Sequence, residues 1–237
     1  MSGATIKTPA GVLATAASII QVGGGRGFIV SATHDERYVV TAAHCLPYYP
    51  EPHLANGASE LSYANILGPL GVHEGTVWAE LTECNAISDI AVLGAPDGDE
   101  WEQYEAFTST AMTIGQSPQL RRPHEWTVET ATSAWVLSLD GQWRHCTVQN
   151  GGRFLMMVQG ELVESGMSGS PIVNDDGAAI GVVSTGGDGF NLNPSLTDCL
   201  PQWLLRTMTI GALQTEEERT SCPAASTATS SATAPTA

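Results

Sequence analysis

Three short stretches of the sequence carry side chains that could together open an acyl bond. The stretch Glu164-Ser165-Gly166-Met167-Ser168-Gly169-Ser170-Pro171 sets a serine between two glycines, where the backbone can turn tightly and present its N–H groups beside a hydroxyl. A serine hydroxyl is a weak nucleophile at neutral pH and needs a base within hydrogen-bond reach. Val39-Val40-Thr41-Ala42-Ala43-His44-Cys45 ends an apolar run on a histidine, whose imidazole can take that proton and return it to a leaving amine. Ser88-Asp89-Ile90-Ala91-Val92-Leu93 opens another apolar run on an aspartate, able to hold the imidazole in one tautomer and to stabilise its positive form. Singly, each has an ordinary explanation: a core histidine, a strand cap, a turn serine. In the order His, Asp, Ser they support one another, with His44 and Asp89 in one half of the chain, Ser168 in the other, and the site between.

These blocks, in this order, resemble the trypsin-like (chymotrypsin-fold) serine peptidases over roughly residues 18–190. Gly166-Met167-Ser168-Gly169-Ser170-Pro171 is closer to the bacterial high-temperature-requirement and glutamyl endopeptidase branch than to the digestive enzymes. The resemblance implies a catalytic triad of His44, Asp89 and Ser168, and an oxyanion hole made by the backbone N–H groups of Gly166 and Ser168. It also implies a substrate-binding strand at Ser184, Thr185 and Gly186, with Ser184 near Asp89. Leu162, six residues before the serine, would lie at the base of the pocket for the side chain preceding the cut, favouring an apolar or small residue there. Digestive members carry an aspartate before the nucleophile that pairs with a newly cut N-terminus. Met167 cannot do so, so other contacts or substrate must order the loop.

Two other chemistries are disfavoured. An α/β-hydrolase elbow is followed by a helix and, later, by its histidine, whereas Pro171 and a hairpin follow here and no histidine lies beyond residue 145. A zinc site from His44-Cys45 and His145-Cys146 lacks close-spaced ligand pairs. No cofactor and no metal are expected.

The 237 residues suit one domain of short strands, with 25 glycines, 13 prolines and 42% hydrophobic residues. The resemblance implies peptide or protein substrates; a net charge of -16 opposes nucleic acid and anionic membrane surfaces as partners and favours basic or neutral peptides over acidic ones. Five cysteines, Cys45, Cys84, Cys146, Cys199 and Cys222, form no close-spaced pair. In secreted members of the family the cysteine after the histidine pairs with one on the preceding strand. Residues 27–31 hold none, so Cys45 is expected to be a free buried thiol in a reducing compartment. Without a convincing signal peptide, a cytoplasmic location is expected.

The expected architecture is all-β: two six-stranded antiparallel Greek-key barrels with a short C-terminal helix. Residues 1–17 read as an N-terminal extension, 18–210 as the peptidase domain, with barrel one at 18–115, barrel two at 124–192 and the helix at 193–208. Strands are expected at 18–22, 28–31, 38–41, 72–81, 90–93, 126–138, 142–149, 153–158, 172–173 and 179–184. Gly23 to Gly27 reads as a flexible turn, 46–65 as a surface loop, and the acidic stretch Asp97 to Glu105 as a solvated loop. The Ala/Ser/Thr-rich residues 216–237 read as a disordered tail or a linker to a partner domain. The function expected is peptide-bond hydrolysis through an acyl-enzyme. The alternative is a catalytically silent or partner-activated module of the same fold that binds peptides or scaffolds a complex.

Overall fold

The computed structural model describes residues 6–31, 36–48, 61–115, 131–159, 163–184, 186–187 and 190–208. Among these, β1 (Ile19–Val22), β2 (Gly25–Ser31), β3 (Arg37–Thr41), β4 (Ser62–Gly68), β5 (Val77–Asn85) and β6 (Ile90–Gly94) close an antiparallel barrel in the order β1-β2-β3-β6-β5-β4. The second half forms a sheet from β7 (Thr132–Leu137), β8 (Trp143–Asn150), β9 (Phe154–Gln159), β10 (Pro171–Val173), β11 (Ala179–Val182), β12 (Gly186–Gly187) and β13 (Phe190–Pro194), ordered β11-β10-β7-β8-β9-β13-β12. A bridge from Gly181 to Ser195 brings the far edges together. Six strands thus make a nearly closed second barrel, with β12 a two-residue flap on β13.

Alternation along the strands explains why the apolar runs are nearly continuous. Side chains two apart share a face, so Ile29, Val39, Ala91 and Leu93 fill the first barrel, while Phe28, Val30, Val40, Ile90 and Val92 point outward. The outward set does not meet water. It packs on Ala179 and Val182 of the second barrel and on Leu196, Leu200, Leu204, Leu205 and Met208. Each fully buried side chain of this kind contributes about 1.5–3 kcal/mol, so this shared core sets how the barrels sit. The second barrel holds Ala134, Val136, Val148, Leu155, Ile172 and Ile180 inside. Its outer face, Trp135, Leu137, Trp143 and Val173, is covered by Val12 of α1 (Ala10–Thr15).

Several elements differ from the sequence reading. Gly25, Arg26 and Gly27 are strand rather than flexible turn, and only Gly23 and Gly24 make the connection, because β1 and β2 pair directly from Val22↔Gly25 onward. The loop expected through residue 65 ends sooner, at β4. Asn65 there takes φ 53 and the pairing slips between Tyr63 and Leu67, which breaks the strand's alternation. The strand expected at 72–81 starts later, at Val77, and runs to Asn85. The acidic stretch is no loop: α2 (Glu100–Ser109) carries Glu100 and Glu102 in its first turn, where the helix dipole favours them. Residues 193–208 are not one helix. Asn193 and Pro194 belong to β13, α3 (Leu196–Cys199) is one turn, and the helix at 202–208 begins after Pro201.

Candidate active site

His44 sits in the tight 3₁₀ turn Ala43–Cys45 that ends β3, so the barrel's hairpin carries it to the rim. Asp89 lies immediately before β6 with φ 55. Aspartate tolerates this left-handed backbone better than most residues, though still at a cost. The conformation turns its carboxylate onto the histidine turn. Asp89 Oδ1 accepts the His44 backbone N–H at 2.9 Å, and Oδ2 lies 2.6 Å from His44 Nδ1. Ser184 Oγ donates to the same Oδ2. Ser184 is itself fixed by its backbone N–H, 3.0 Å from Oδ1 of the buried Asn193.

The electrostatics follow from these contacts. The hydrogen bond to Asp89 raises the His44 pKa above its ordinary 6.5, against an opposing effect of burial. Burial would raise Asp89, but the donors His44, Ser184 and the His44 backbone outweigh it and leave the carboxyl below its ordinary value. With Nδ1 engaged by a carboxylate, the free lone pair of a neutral His44 ring is on Nε2. Both side chains keep some solvent access, 29% for His44 and 22% for Asp89.

Ser168 lies in the second of two successive turns. Met167 N–H donates to Glu164 O at 3.1 Å, and Ser170 N–H to Met167 O at 3.0 Å. Gly166 and Gly169 occupy the third position of each turn with φ 96 and 84, the positive φ that type II turns require. The repeated Ser-Gly of Ser165-Gly166 and Ser168-Gly169 is therefore the sequence signature of a double turn. Among the described residues, the N–H groups of Gly166 and Ser168 have no acceptor, whereas that of Met167 does. Met167, 2% exposed, plugs into the second barrel's core and anchors the loop by packing where a carboxylate would need a charge partner.

The loop also meets the first barrel. Ser168 O accepts the Arg26 N–H at 2.7 Å. A Cβ on Gly25 would lie 2.5 Å from Cys45 Sγ and 2.6 Å from Ser168 O, so β2 touches both the histidine turn and the serine turn through a residue that must lack a side chain. Cys45 is free, and burial pushes its thiol up to about 11. An open groove is lined by Gly23, Gly24, Cys45, Asn65, His73 and Glu74.

The structure thus brings His44, Asp89 and Ser184 into direct contact and puts Ser168 and Gly166 in one loop docked on the same strand. Gly186 opens β12, paired with Asn191. Leu162 and Thr185 lie outside the described residues, as does Cys222. Among the described residues no group of three His, Cys, Asp or Glu side chains is placed to hold a metal ion. Sequence reasoning missed Arg26 and Asn193.

The sequence model of the trypsin-like peptidase domain matches residues 25–182. No curated protein matches the chain. Among solved structures, the inactive form of the Rv3671c protease is similar at 15% identity and a TM-score of 0.49, covering 82% of this chain and 95% of that one. The serine endoprotease from Yersinia pestis is similar at 17% identity and a TM-score of 0.48, covering 83% of this chain and 65% of its own, so the chain spans under two thirds of that protein. With the domain match running from β2 through β11, the chain belongs to the trypsin-like peptidase family and is a serine-type endopeptidase.

Proposed function

We propose that the chain cleaves peptide bonds through a triad of His44, Asp89 and Ser168 and a covalent acyl-enzyme. The observation that carries this reading is the Asp89 carboxylate, which holds the His44 ring through Nδ1 and its backbone through N–H while Ser184 holds the carboxylate. In this reading Nε2 of His44 takes the Ser168 proton as Oγ attacks the substrate carbonyl. The Gly166 and Ser168 N–H groups donate to the oxygen as it becomes negative, each worth about 3–4 kcal/mol in the transition state. His44 then gives its proton to the leaving amine, which departs, and water repeats the sequence on the acyl-enzyme. The groove beside Cys45 receives the peptide on the leaving side. Peptide substrates with an apolar or small residue before the cut are the class that Leu162 would favour.

Intact-mass detection of fluorophosphonate labelling tests the reading. One adduct per chain is expected, absent in Ser168→Ala and at least 10³-fold slower in His44→Ala, with folding retained in both. A folded, unaltered chain that takes no label, or a Ser168→Ala variant that hydrolyses peptides normally, overturns it.

A further inference from the structure

Met167 leaves the nucleophile loop without the ion pair that orders it in digestive relatives, yet the loop is formed. Arg26 reaches that loop from the other barrel. Its side chain is buried, 6% exposed, and its partners among the described residues are neutral oxygens. Nη1 donates to Leu137 O at 2.7 Å and to Ser170 Oγ at 3.4 Å, and Nη2 to Ser138 O at 3.2 Å. The main chain is equally engaged: N–H donates to Ser168 O at 2.7 Å, and O accepts from Thr41 Oγ1 at 2.6 Å.

These contacts fall on both sides of the oxyanion donors. Ser170 follows the nucleophile. Leu137 ends β7 and Ser138 follows it, and the next residue, Leu139, lies against Gly166, with Cδ2 3.5 Å from where a Cβ on that glycine would be. A planar guanidinium has five donors in a fixed fork, so one side chain can tie the β7 end and the serine turn together. Burying a cation among carbonyls costs several kcal/mol unless its donors are met, and burial lowers the Arg26 pKa, with no acid among the described residues to offset it. A methionine or leucine would fill the same volume without that cost. The cation instead leaves a fixed positive charge against Ser170, two residues after Ser168.

We propose that Arg26 is a positioning residue that holds the Gly166–Ser168 donors in their working arrangement from the neighbouring barrel, so that the site is built without N-terminal processing. This rests on the peptidase reading above.

The test compares the unaltered chain with Arg26→Met, which keeps the apolar stem, Arg26→Lys, which keeps the charge, and Val12→Ala, a cavity variant on the outer face of barrel two. Steady-state kinetics, urea midpoints and hydrogen exchange of residues 164–170 are read on each. Arg26→Met is expected to lower kcat by about 10²–10³-fold, the effect of losing an oxyanion donor, with KM within threefold. Arg26→Lys is expected to restore about tenfold of that loss. Exchange at 164–170 should quicken at least tenfold in Arg26→Met and stay unchanged in Val12→Ala, which should keep its kcat despite a lower urea midpoint. A folded Arg26→Met with kcat within threefold of the unaltered chain, or with unchanged exchange at 164–170, overturns the proposal. If Arg26→Met does not fold, Arg26→Lys decides it: kcat about 10–10²-fold down with KM held upholds it, and kcat within threefold of the unaltered chain overturns it. Should the unaltered folded chain take no fluorophosphonate, the peptidase reading fails separately and exchange alone decides the clamp.

Discussion

Gly166 and Gly169 stand three residues apart with nearly the same backbone angle, yet alanine should damage the protein differently at each. Any L side chain pays about 1–2 kcal/mol for a left-handed φ, so both variants start with that cost. At Gly169 a Cβ would lie 1.7 Å from Arg26 O and 2.7 Å from Thr41 Oγ1. Neither can move without breaking the Thr41 Oγ1–Arg26 O hydrogen bond, worth about 1 kcal/mol, and shifting the strand, at about 1–3 kcal/mol for overpacking. Gly169→Ala should therefore lose about 3–6 kcal/mol, a large share of a stability on the order of 5–15 kcal/mol. For a chain of this size that lowers Tm by on the order of 10 °C. At Gly166 the nearest atom is Leu139 Cδ2 at 3.5 Å, ordinary contact, so Gly166→Ala should lose only about 1–2 kcal/mol. Its damage falls instead on the orientation of its own N–H, a loss of about 10²–10³-fold in fluorophosphonate labelling rate. Urea melts and labelling kinetics on the two variants separate the effects. A Gly169→Ala chain as stable as Gly166→Ala refutes the packing argument, and a Gly166→Ala chain that labels at the unaltered rate refutes the donor assignment.

The His44–Asp89 pair sets the pH behaviour. Catalysis needs neutral His44, and its pKa is raised above 6.5, so kcat/KM should climb through a midpoint above that value. The pair's contribution to stability has the reverse sense at each end: His44's share is full below about 6.5 and fades as pH rises through its folded pKa, while Asp89's is full above about 4 and fades as pH falls through its lowered one. Asp89→Asn keeps the shape and tolerates φ 55, and should cut kcat by about 10⁴-fold and move the midpoint down, both read from one pH series; an unmoved midpoint would count against the pair. Burial pushes the thiols of Cys45 and Cys146 up to about 11 and about 12. Both should resist Ellman's reagent at pH 8 until the chain unfolds, and rapid modification of either in the native protein would contradict their placement.

The histidine, aspartate and serine blocks were legible because each is local: a few contiguous residues define the turn and the strand that present the side chain. Ser184 came with the family pattern. Arg26 was not legible, since its meaning resides in oxygens 111 to 144 positions away and its flanking glycines signal a turn on their own. Those glycines are there for close approach: Gly25 by the serine and cysteine turns, Gly27 by Val22 and Val39. The helix α2 hid for another reason. Of its ten residues only Tyr104 and Thr108 are buried, so its polar surface looked like a loop, whereas Tyr104 spans the gap to Arg37 O and Leu93 O. At the C-terminal end, Leu196, Leu200 and Leu204 keep helical spacing across Pro201, and that pattern masked the strand β13 just ahead of it.

The match to the peptidase domain stops short of what closes either barrel. It spans residues 25–182, while β1, which joins β2 to β4, precedes it, and β13, whose end bridges back to β11, follows it. A segment excised at the homology limits would therefore be two opened sheets with bare edges, prone to pair with other copies. It would also lose α1, whose Gly11 interlocks with the Gly177 turn at contact distances that admit no side chain on either. The portable unit for grafting or for fusion to another domain is larger than the recognisable one, and its indispensable margins are the parts that carry no family motif.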